Sequence, residues 1–388
     1  MSSALRFFAT AAKGTEGALR DELRGLRLPS VRADRGGVHF EGTLADGMRA
    51  CLHSRVAMRV QLELGRFPAG DERALYDGVR SLGWDEHVTP RHTLAVSATC
   101  RSSRLTHSQF IALKTKDAIV DAQRDLHGRR PSVDTRNPDV DVIVRLVKDE
   151  ATLYLDLAGD ALHRRGYRVA TVEAVMKETL AAAALRLAGW DGTADLLDPM
   201  CGSGTFAIEA ALIACRVAPG LRRRFGFERW PAFDRTAQGQ WEALLDEANA
   251  RILAQSPVRI EASDVSPAAV DATRQNLAAA GIAGAVTVRQ RDARTLGPDD
   301  GPCWVVADPP YGDRLTAQPL QLAGFVQQWS AAVKSMRGST VVVVSGNPLL
   351  QRNVRLAPDF EHTLFNGDIE CRLLRYRVDA RPLQPERA

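Results

Sequence analysis

No stretch of the 388 residues stays apolar for the roughly 20 positions that a bilayer-spanning helix needs. The N-terminal MSSALRFFATAAKG lacks the charged-then-apolar layout of a secretory signal, so a cytoplasmic protein with no membrane partner is expected. Cysteine is sparse and badly spaced for chemistry. Cys51, Cys100, Cys201, Cys215, Cys303 and Cys371 form no C-x-x-C pair, and the eight histidines form no H-x-x-x-H pair. Zinc-site and disulfide-framework readings therefore fall away, and no metal is expected. There is no internal repeat, which excludes a solenoid, and no low-complexity linker. Charge of a single sign is scarce too: the formal net charge is +4, with no long run of like charges. Nothing points to an obligate protein partner.

What is present is ordinary globular composition, 45% hydrophobic and 25% charged, in a chain long enough for two or three domains. The small positive excess is unevenly placed. Of 51 basic and 47 acidic residues, 27 and 22 lie in residues 1–170, leaving 24 and 25 for residues 171–388. A mildly basic first part joined to a neutral second part suits a polyanion-gripping module attached to a catalytic one.

Residues 1–65 read as a small α+β unit, with an apolar run at Leu5–Ala9, a helical stretch Thr15–Leu26 and a strand around Val38-His39-Phe40. From Thr93 the pattern is strand, helix, strand, strand: LAVSATC, HSQFIALKTKDAIVDAQRDL, VDVIVRLV and ATLYLDLAG. The helix is expected to turn Phe110, Leu113, Ile119 and Leu126 inward. Beyond Val172 the rhythm changes. An alanine-rich helix, EAVMKETLAAAALRLAGW, ends at Gly189, and short β-branched strands then alternate with helices: ADLLD, RIEASD, VTVRQ, CWVVAD and STVVVVS. The helix after RIEASD is expected to be capped by Ser266 with Pro267 at its first position. This alternation predicts a parallel α/β sheet covered on both faces, with ligands at the carboxyl ends of its strands.

Every chemical motif falls at such an end. Asp198-Pro199-Met200-Cys201-Gly202-Ser203-Gly204-Thr205 stands between a strand and a helix. Its glycines permit a tight turn and close approach of a ligand. GSGTFA also fits the dinucleotide pattern G-x-G-x-x-A. Asp198, however, would repel a pyrophosphate, and no acid at a second strand end lies about 20 residues on. A cationic ligand suits Asp198 better. Asp264, ending RIEASD, can accept both ribose hydroxyls of a nucleoside or can serve as a helix cap. Asp292, after VTVRQ, can take an adenine amine. Acid, glycine turn, acid, acid at successive strand ends make a nucleoside pocket.

Asp308-Pro309-Pro310-Tyr311 follows the strand CWVVA. Two prolines stiffen the backbone, so the Asp308 side chain and the Pro309 carbonyl become fixed acceptors beside an aromatic ring. A base amine is a poor nucleophile because its lone pair is delocalised into the ring. Two acceptors on its N–H hydrogens favour the pyramidal form that attacks a methyl sulfonium in line, and Tyr311 can stack on the extruded base. A rigid surface turn would use the same residues.

KTKDAIVD, RPSVD, LHRRGYR, EAVMKETLAAAALRLAGW, DPMCGSGTFAIEAA, SDVSPAAVDATRQN, DPPYGDRL and NGDIECRLLRY, in that order, resemble a THUMP-domain class I RNA methyltransferase of the bacterial large-subunit rRNA guanine-N2 type. The resemblance covers nearly the whole chain. It implies a ferredoxin-like part (1–65), a THUMP domain gripping folded RNA (66–165) and a Rossmann-like methyltransferase domain (166–388). It also implies S-adenosyl-L-methionine as cofactor, held by Asp198, Met200, Gly202, Gly204, Thr205, Asp264, Asp292 and Thr179. Asp308, Pro309, Pro310 and Tyr311 are then the catalytic set. Many such rRNA enzymes carry Asn where this chain has Asp308, an acceptor in either case. Some relatives are fused to a second methyltransferase, whereas this chain ends after a hairpin, so one modification is expected. rRNA is the expected substrate ahead of tRNA. The alternatives are N6-adenine methylation, a non-catalytic RNA-binding assembly factor and, more distantly, a dinucleotide oxidoreductase.

Overall fold

The computed structural model describes residues 4–172, 176–309, 319–347, 354 and 356–379. Its first strand, β1 (Leu5–Thr10), buries Phe7, Phe8 and Ala9 and is followed by α1 (Glu16–Gly25), β2 (Arg32–Asp34) and β3 (Gly37–Gly42). Next comes α2 (Leu44–His53), which begins in a capping box. The Thr43 side chain accepts the Asp46 N–H at 3.3 Å, and the Asp46 carboxylate accepts the Thr43 N–H at 2.9 Å. Then follow β4 (Arg59–Pro68), α3 (Glu72–Arg80), β5 (Thr93–Arg101), α4 (Ser108–His127), β6 (Ser132–Val133), β7 (Val140–Val147) and β8 (Glu150–Asp156).

These strands form one eight-stranded sheet in the order β2-β3-β1-β4-β8-β7-β5-β6. Strand β4 crosses the boundary expected at residue 65. It pairs antiparallel with β1 on one side and with β8 on the other, so the two expected N-terminal parts share a single sheet. Along β7, buried residues alternate with half-exposed ones, the period-2 pattern of a strand with one covered face.

Helix α4 corrects one expectation. Phe110, Leu113 and Leu126 are 38%, 53% and 59% exposed. The buried stripe is instead Ile111, Thr115, Ala118, Ile119 and Gln123. Only Ile119 of the expected four lies inside, because two small or polar residues, Thr115 and Ala118, carry the inward face at helical spacing.

The compact unit built on this sheet comprises residues 1–11, 20–162 and 222–247. Its last segment carries an aromatic cluster. Phe225 and Phe227 stack at 5.3 Å, and both meet the edge of Trp241, at 5.5 and 5.1 Å.

The second unit comprises residues 12–19, 163–221 and 248–388. Helix α5 (Glu178–Ala188) ends at Gly189, whose φ of +94° provides the left-handed cap expected there. It is followed by β9 (Leu196–Asp198) and α6 (Thr205–Ala214); Arg235–Ala250, the helix that carries Trp241, is α7. The chain continues with β10 (Ile260–Asp264), α8 (Pro267–Ala280), β11 (Thr287–Gln290), β12 (Trp304–Ala307), α9 (Pro319–Ser335), β13 (Thr340–Ser345), β14 (Phe360–Asn366) and β15 (Ile369–Arg377).

The seven strands run β11-β10-β9-β12-β13-β15-β14. The first five are mutually parallel, while β15 is antiparallel to both β13 and β14. The apolar runs WVVA and TVVVVS become β12 and β13, buried along nearly their whole length as a parallel sheet covered on both faces requires. Strand order reverses between β9 and β12, and ligands of doubly wound sheets bind outside the carboxyl ends at such a reversal. No helix among the described residues is long and apolar enough to cross a membrane.

Candidate active site

Three carboxylates stand at the carboxyl ends of three neighbouring strands: Asp264 at the end of β10, Asp198 at the end of β9, and Asp308 one residue beyond β12. Adjacent strands lie about 4.8 Å apart, so the sheet itself crowds these groups at its switch point. Asp198 is 1% exposed. Burial, then the neighbouring Asp264, and more weakly Asp308, hold its carboxyl well above the usual carboxylate range; the N–H groups of Met200 and Ala207 oppose that rise. Its Oδ1 is buried without a hydrogen-bond partner among the described residues. Like charges gathered around an unsatisfied buried oxygen call for a cation or a donor from a ligand.

The glycine turn lies in front of this row. Gly202 and Gly204 adopt φ of +54° and +84°, the left-handed region that glycine occupies without penalty. They differ in their surroundings. Among the described residues a Cβ on Gly202 would meet only Val172 Cγ2 at 3.6 Å, whereas a Cβ on Gly204 would lie 2.8 Å from Thr273 Cγ2 and 3.0 Å from its Oγ1. The turn is tied down from one helix, α8, and from the end of β10. Thr273 of α8 donates to the Gly202 carbonyl at 3.0 Å, and Asp264 Oδ2 accepts the Gly202 N–H at 3.0 Å. Asn276, fully buried on α8, donates to the carbonyls of Ser203 and Ala170 and accepts the N–H groups of Val169 and Ala170, all at 2.8–2.9 Å.

The expected cofactor residues separate into three groups. Asp198, Gly202, Gly204, Thr205 and Asp264 come together at the switch point. Met200, half-buried, packs against the core beside β12 and β13, and Thr179 is buried in the first turn of α5. Asp292 is differently engaged: it caps a short 3₁₀ turn by accepting the Arg294 N–H at 2.9 Å, and its carboxylate pairs with the Arg294 guanidinium. That pairing, foremost through the side-chain hydrogen bond, holds its carboxyl below the usual range.

Asp264 is also engaged with the backbone of its own chain. Ser266 occupies the N-cap position of α8 but makes no side-chain cap bond, and Asp264 Oδ1 accepts the Ser266 N–H at 3.0 Å. One carboxylate therefore joins the strand end, the helix start and the glycine turn. An ionised carboxylate has about four acceptor sites, so two remain for a ligand. Of the catalytic set, Asp308 is partly buried and Pro309 buried, while Pro310 and Tyr311 lie outside the described residues.

Sequence reading missed the polar frame behind the turn. Arg168, Glu178, Thr273 and Asn276 lie within stretches that carry the family resemblance, LHRRGYR, EAVMKETLAAAALRLAGW and SDVSPAAVDATRQN, but none stands at a strand end, where the chemical motifs fall. The one available sign was Thr273 and Asn276, two polar residues three apart among the apolar positions of α8. Deeper still, Arg165 and Glu209 form a buried ion pair, and the Tyr167 hydroxyl donates to Glu209 at 3.1 Å. The frame fits a nucleoside with a charged amino-acid tail: carboxylates for hydroxyls and ammonium, a side-chain-free turn for close approach, and an orphaned buried oxygen.

Comparisons with known proteins agree with this geometry. A family profile described as "RMKL-like, methyltransferase domain" matches residues 165–375. Profiles described as "THUMP domain" and "RlmL ferredoxin-like domain" match residues 69–156 and 6–61. The "Ribosomal RNA large subunit methyltransferase K/L" of Methylococcus capsulatus is 41% identical over 380 residues, covering 96% of this chain and 51% of that protein. The chain thus spans about half the length of the curated relatives it matches. Among solved structures, a methyltransferase complexed with SAH superposes with a TM-score of 0.89 at 27% identity, covering 99% of this chain and 100% of the other. A Listeria monocytogenes protein described as a predicted N6-adenine-specific DNA methylase gives a TM-score of 0.87 at 29% identity, covering 96% of each chain. Seven strands in this order, an acid at the end of each central strand, and a profile match over more than half of the residues lead to one conclusion: the chain belongs to the RMKL-like methyltransferase family.

Proposed function

We propose that the chain transfers a methyl group from S-adenosyl-L-methionine to the exocyclic N2 amine of a guanine in large-subunit ribosomal RNA. The observation that carries the reading is the row Asp264, Asp198, Asp308 at the switch point, with the glycine turn before it. When bound, the cofactor supplies an electrophilic methyl carbon on a sulfonium. Asp264 accepts from the ribose hydroxyls while keeping its bonds to Gly202 and Ser266. Asp198 faces the ammonium. Asp292 is the candidate for the adenine amine, using the acceptor capacity that Arg294 leaves. Asp308 and the Pro309 carbonyl accept the two N–H hydrogens of the target amine and localise its lone pair. The amine, held by these two acceptors, would take the methyl carbon that the cofactor supplies and release one proton to solvent. Tyr311 is assigned to stacking on the base from sequence alone.

The RNA grip belongs to the residues matched as THUMP, 69–156, within the part of the chain that carries the basic excess. Such grips act mainly through phosphates and weaken as salt rises. Ribosomal RNA is favoured by the names of the relatives that cover nearly all of this chain. Asp308 chemistry would serve an adenine N6 amine equally well, and the Listeria protein's description keeps that as the second reading.

Both are tested by supplying the protein with S-adenosylmethionine and rRNA or tRNA from a strain lacking it, then identifying the methylated nucleoside by mass spectrometry. N2-methylguanosine in rRNA alone is expected. N6-methyladenosine, or methylation confined to tRNA, would replace the substrate assignment. Cofactor binding without transfer to any cellular RNA would replace the enzyme with a binding factor.

A further inference from the structure

Four of the five N–H donors of one guanidinium are spent around the glycine turn. Arg168 Nε donates to Glu178 at 2.8 Å, and one terminal nitrogen donates to Ser203 Oγ at 3.0 Å. The other donates to Thr205 Oγ1 at 3.1 Å and to the Met176 carbonyl at 3.2 Å. Ser203 and Thr205 are buried, at 5% and 7% exposure, and flank Gly204. A guanidinium has no acceptor, so both hydroxyl oxygens can only accept from it. Each hydroxyl hydrogen is thereby left to donate to another group, and the positive charge polarises it for an anionic acceptor.

The turn thus presents opposite characters within a few residues. Asp198, whose buried Oδ1 has no partner among the described residues, suits a cation, and the two oriented hydroxyls suit an anion. An amino acid's ammonium and carboxylate carry that pair of charges. We propose that Arg168 is a positioning residue, which fixes the Ser203 and Thr205 hydroxyls as donors to the carboxylate of the cofactor's amino-acid end. The proposal rests on the cofactor reading above and adds to it the means by which the site tells an intact amino-acid tail from one lacking its carboxylate. Arg168 acts through these hydroxyls, four of its five donors being committed to the protein. Glu178 holds it in place and neutralises it, so the turn gains directed donors without a bare positive charge.

The test is calorimetric, with the full-length protein and two ligands: S-adenosylhomocysteine, and S-adenosyl-3-thiopropylamine, which keeps the amine and lacks the carboxylate. Arg168→Gln is expected to weaken S-adenosylhomocysteine by about tenfold or more and the amine by no more than about threefold. Ser203→Ala combined with Thr205→Val leaves the Arg168–Glu178 pair intact and should reproduce the same selective loss, which keeps the test decisive if Arg168→Gln fails to fold. Adding Arg168→Gln to that pair should cost little more, because all three act through one contact. Equal weakening of both ligands, or of neither, overturns the role assigned to Arg168. Failure of the unaltered protein to bind S-adenosylhomocysteine would remove the cofactor reading, and this proposal with it.

Discussion

Gly202 and Gly204 share one turn and a left-handed backbone, yet replacing them with alanine should have very different consequences. At Gly202, with φ of +54°, an added methyl meets, among the described residues, only Val172 Cγ2 at 3.6 Å, an ordinary contact. The cost is then the left-handed backbone alone, about 1–2 kcal/mol. At Gly204, with φ of +84°, the methyl would stand 2.8 Å from Thr273 Cγ2, 3.0 Å from Oγ1 and 3.2 Å from Cβ. Thr273 cannot simply rotate away, because its hydroxyl donates to the Gly202 carbonyl and the residue is fully buried. Overpacking of this kind adds about 1–3 kcal/mol, so Gly204→Ala should cost about 2–5 kcal/mol in all. Urea unfolding measures the difference directly, and in a thermal melt each kcal/mol lowers the midpoint by roughly 2–4 °C for a unit of this size. Thr273→Ser removes the closest methyl and keeps the hydroxyl. In the Gly204→Ala background it should return part of the overpacking cost and none of the backbone cost. Equal destabilisation by the two glycine variants, or no coupling between Gly204→Ala and Thr273→Ser, would refute the reasoning.

Asp264→Ala should weaken cofactor binding by roughly ten- to a hundred-fold through the lost ribose bonds, and it should also lower stability because the Gly202 and Ser266 N–H groups lose their acceptor. Calorimetry alongside urea unfolding reads both, and unchanged cofactor affinity would leave Asp264 a purely structural bridge. Asp308→Asn keeps an acceptor of nearly the same shape but is no base, so it should retain a substantial part of single-turnover methyl transfer, whereas Asp308→Ala should lose on the order of a hundred-fold. Equal, near-complete loss in both would support proton removal by Asp308 instead. Asp198 sets a pH dependence: its carboxyl is held well above the usual range by burial and by the carboxylates beside it, so the folded, ligand-free protein binds a proton that the unfolded chain has released. That contribution to stability is present below the ordinary carboxylate pKa and is lost as pH rises through the folded value. A cationic ligand prefers the ionised form, so S-adenosylmethionine affinity should rise with pH across that window, by as much as about tenfold per unit, and then level off. Asp198→Asn should flatten the profile, and a flat profile in the unaltered protein would place the cation elsewhere.

The sequence by itself determined the elements and the chemistry at their ends. β-Branched runs such as WVVA and TVVVVS could be satisfied only in a sheet buried on both faces, and Gly189 stops α5 because a left-handed residue was needed there. Asp198, Gly202, Gly204, Asp264 and Asp308 were visible because each sits at a strand end or in the turn that follows it, where local pattern and function coincide. Tertiary structure alone decided which face of α4 is inside, since its buried stripe includes Thr115, Ala118 and Gln123 and leaves three larger apolar residues in solvent. It also decided that residues 222–247 belong to the unit of the eight-stranded sheet. Above all it decided what the polar residues bind. Asp264 bridges two backbone groups 62 and 2 residues away, and Arg168 reaches Ser203 and Thr205 from 35 and 37 residues away. Hydrogen bonds over such separations leave no periodicity in the sequence, because they depend on where strand order places two chain segments rather than on the spacing of residues within either.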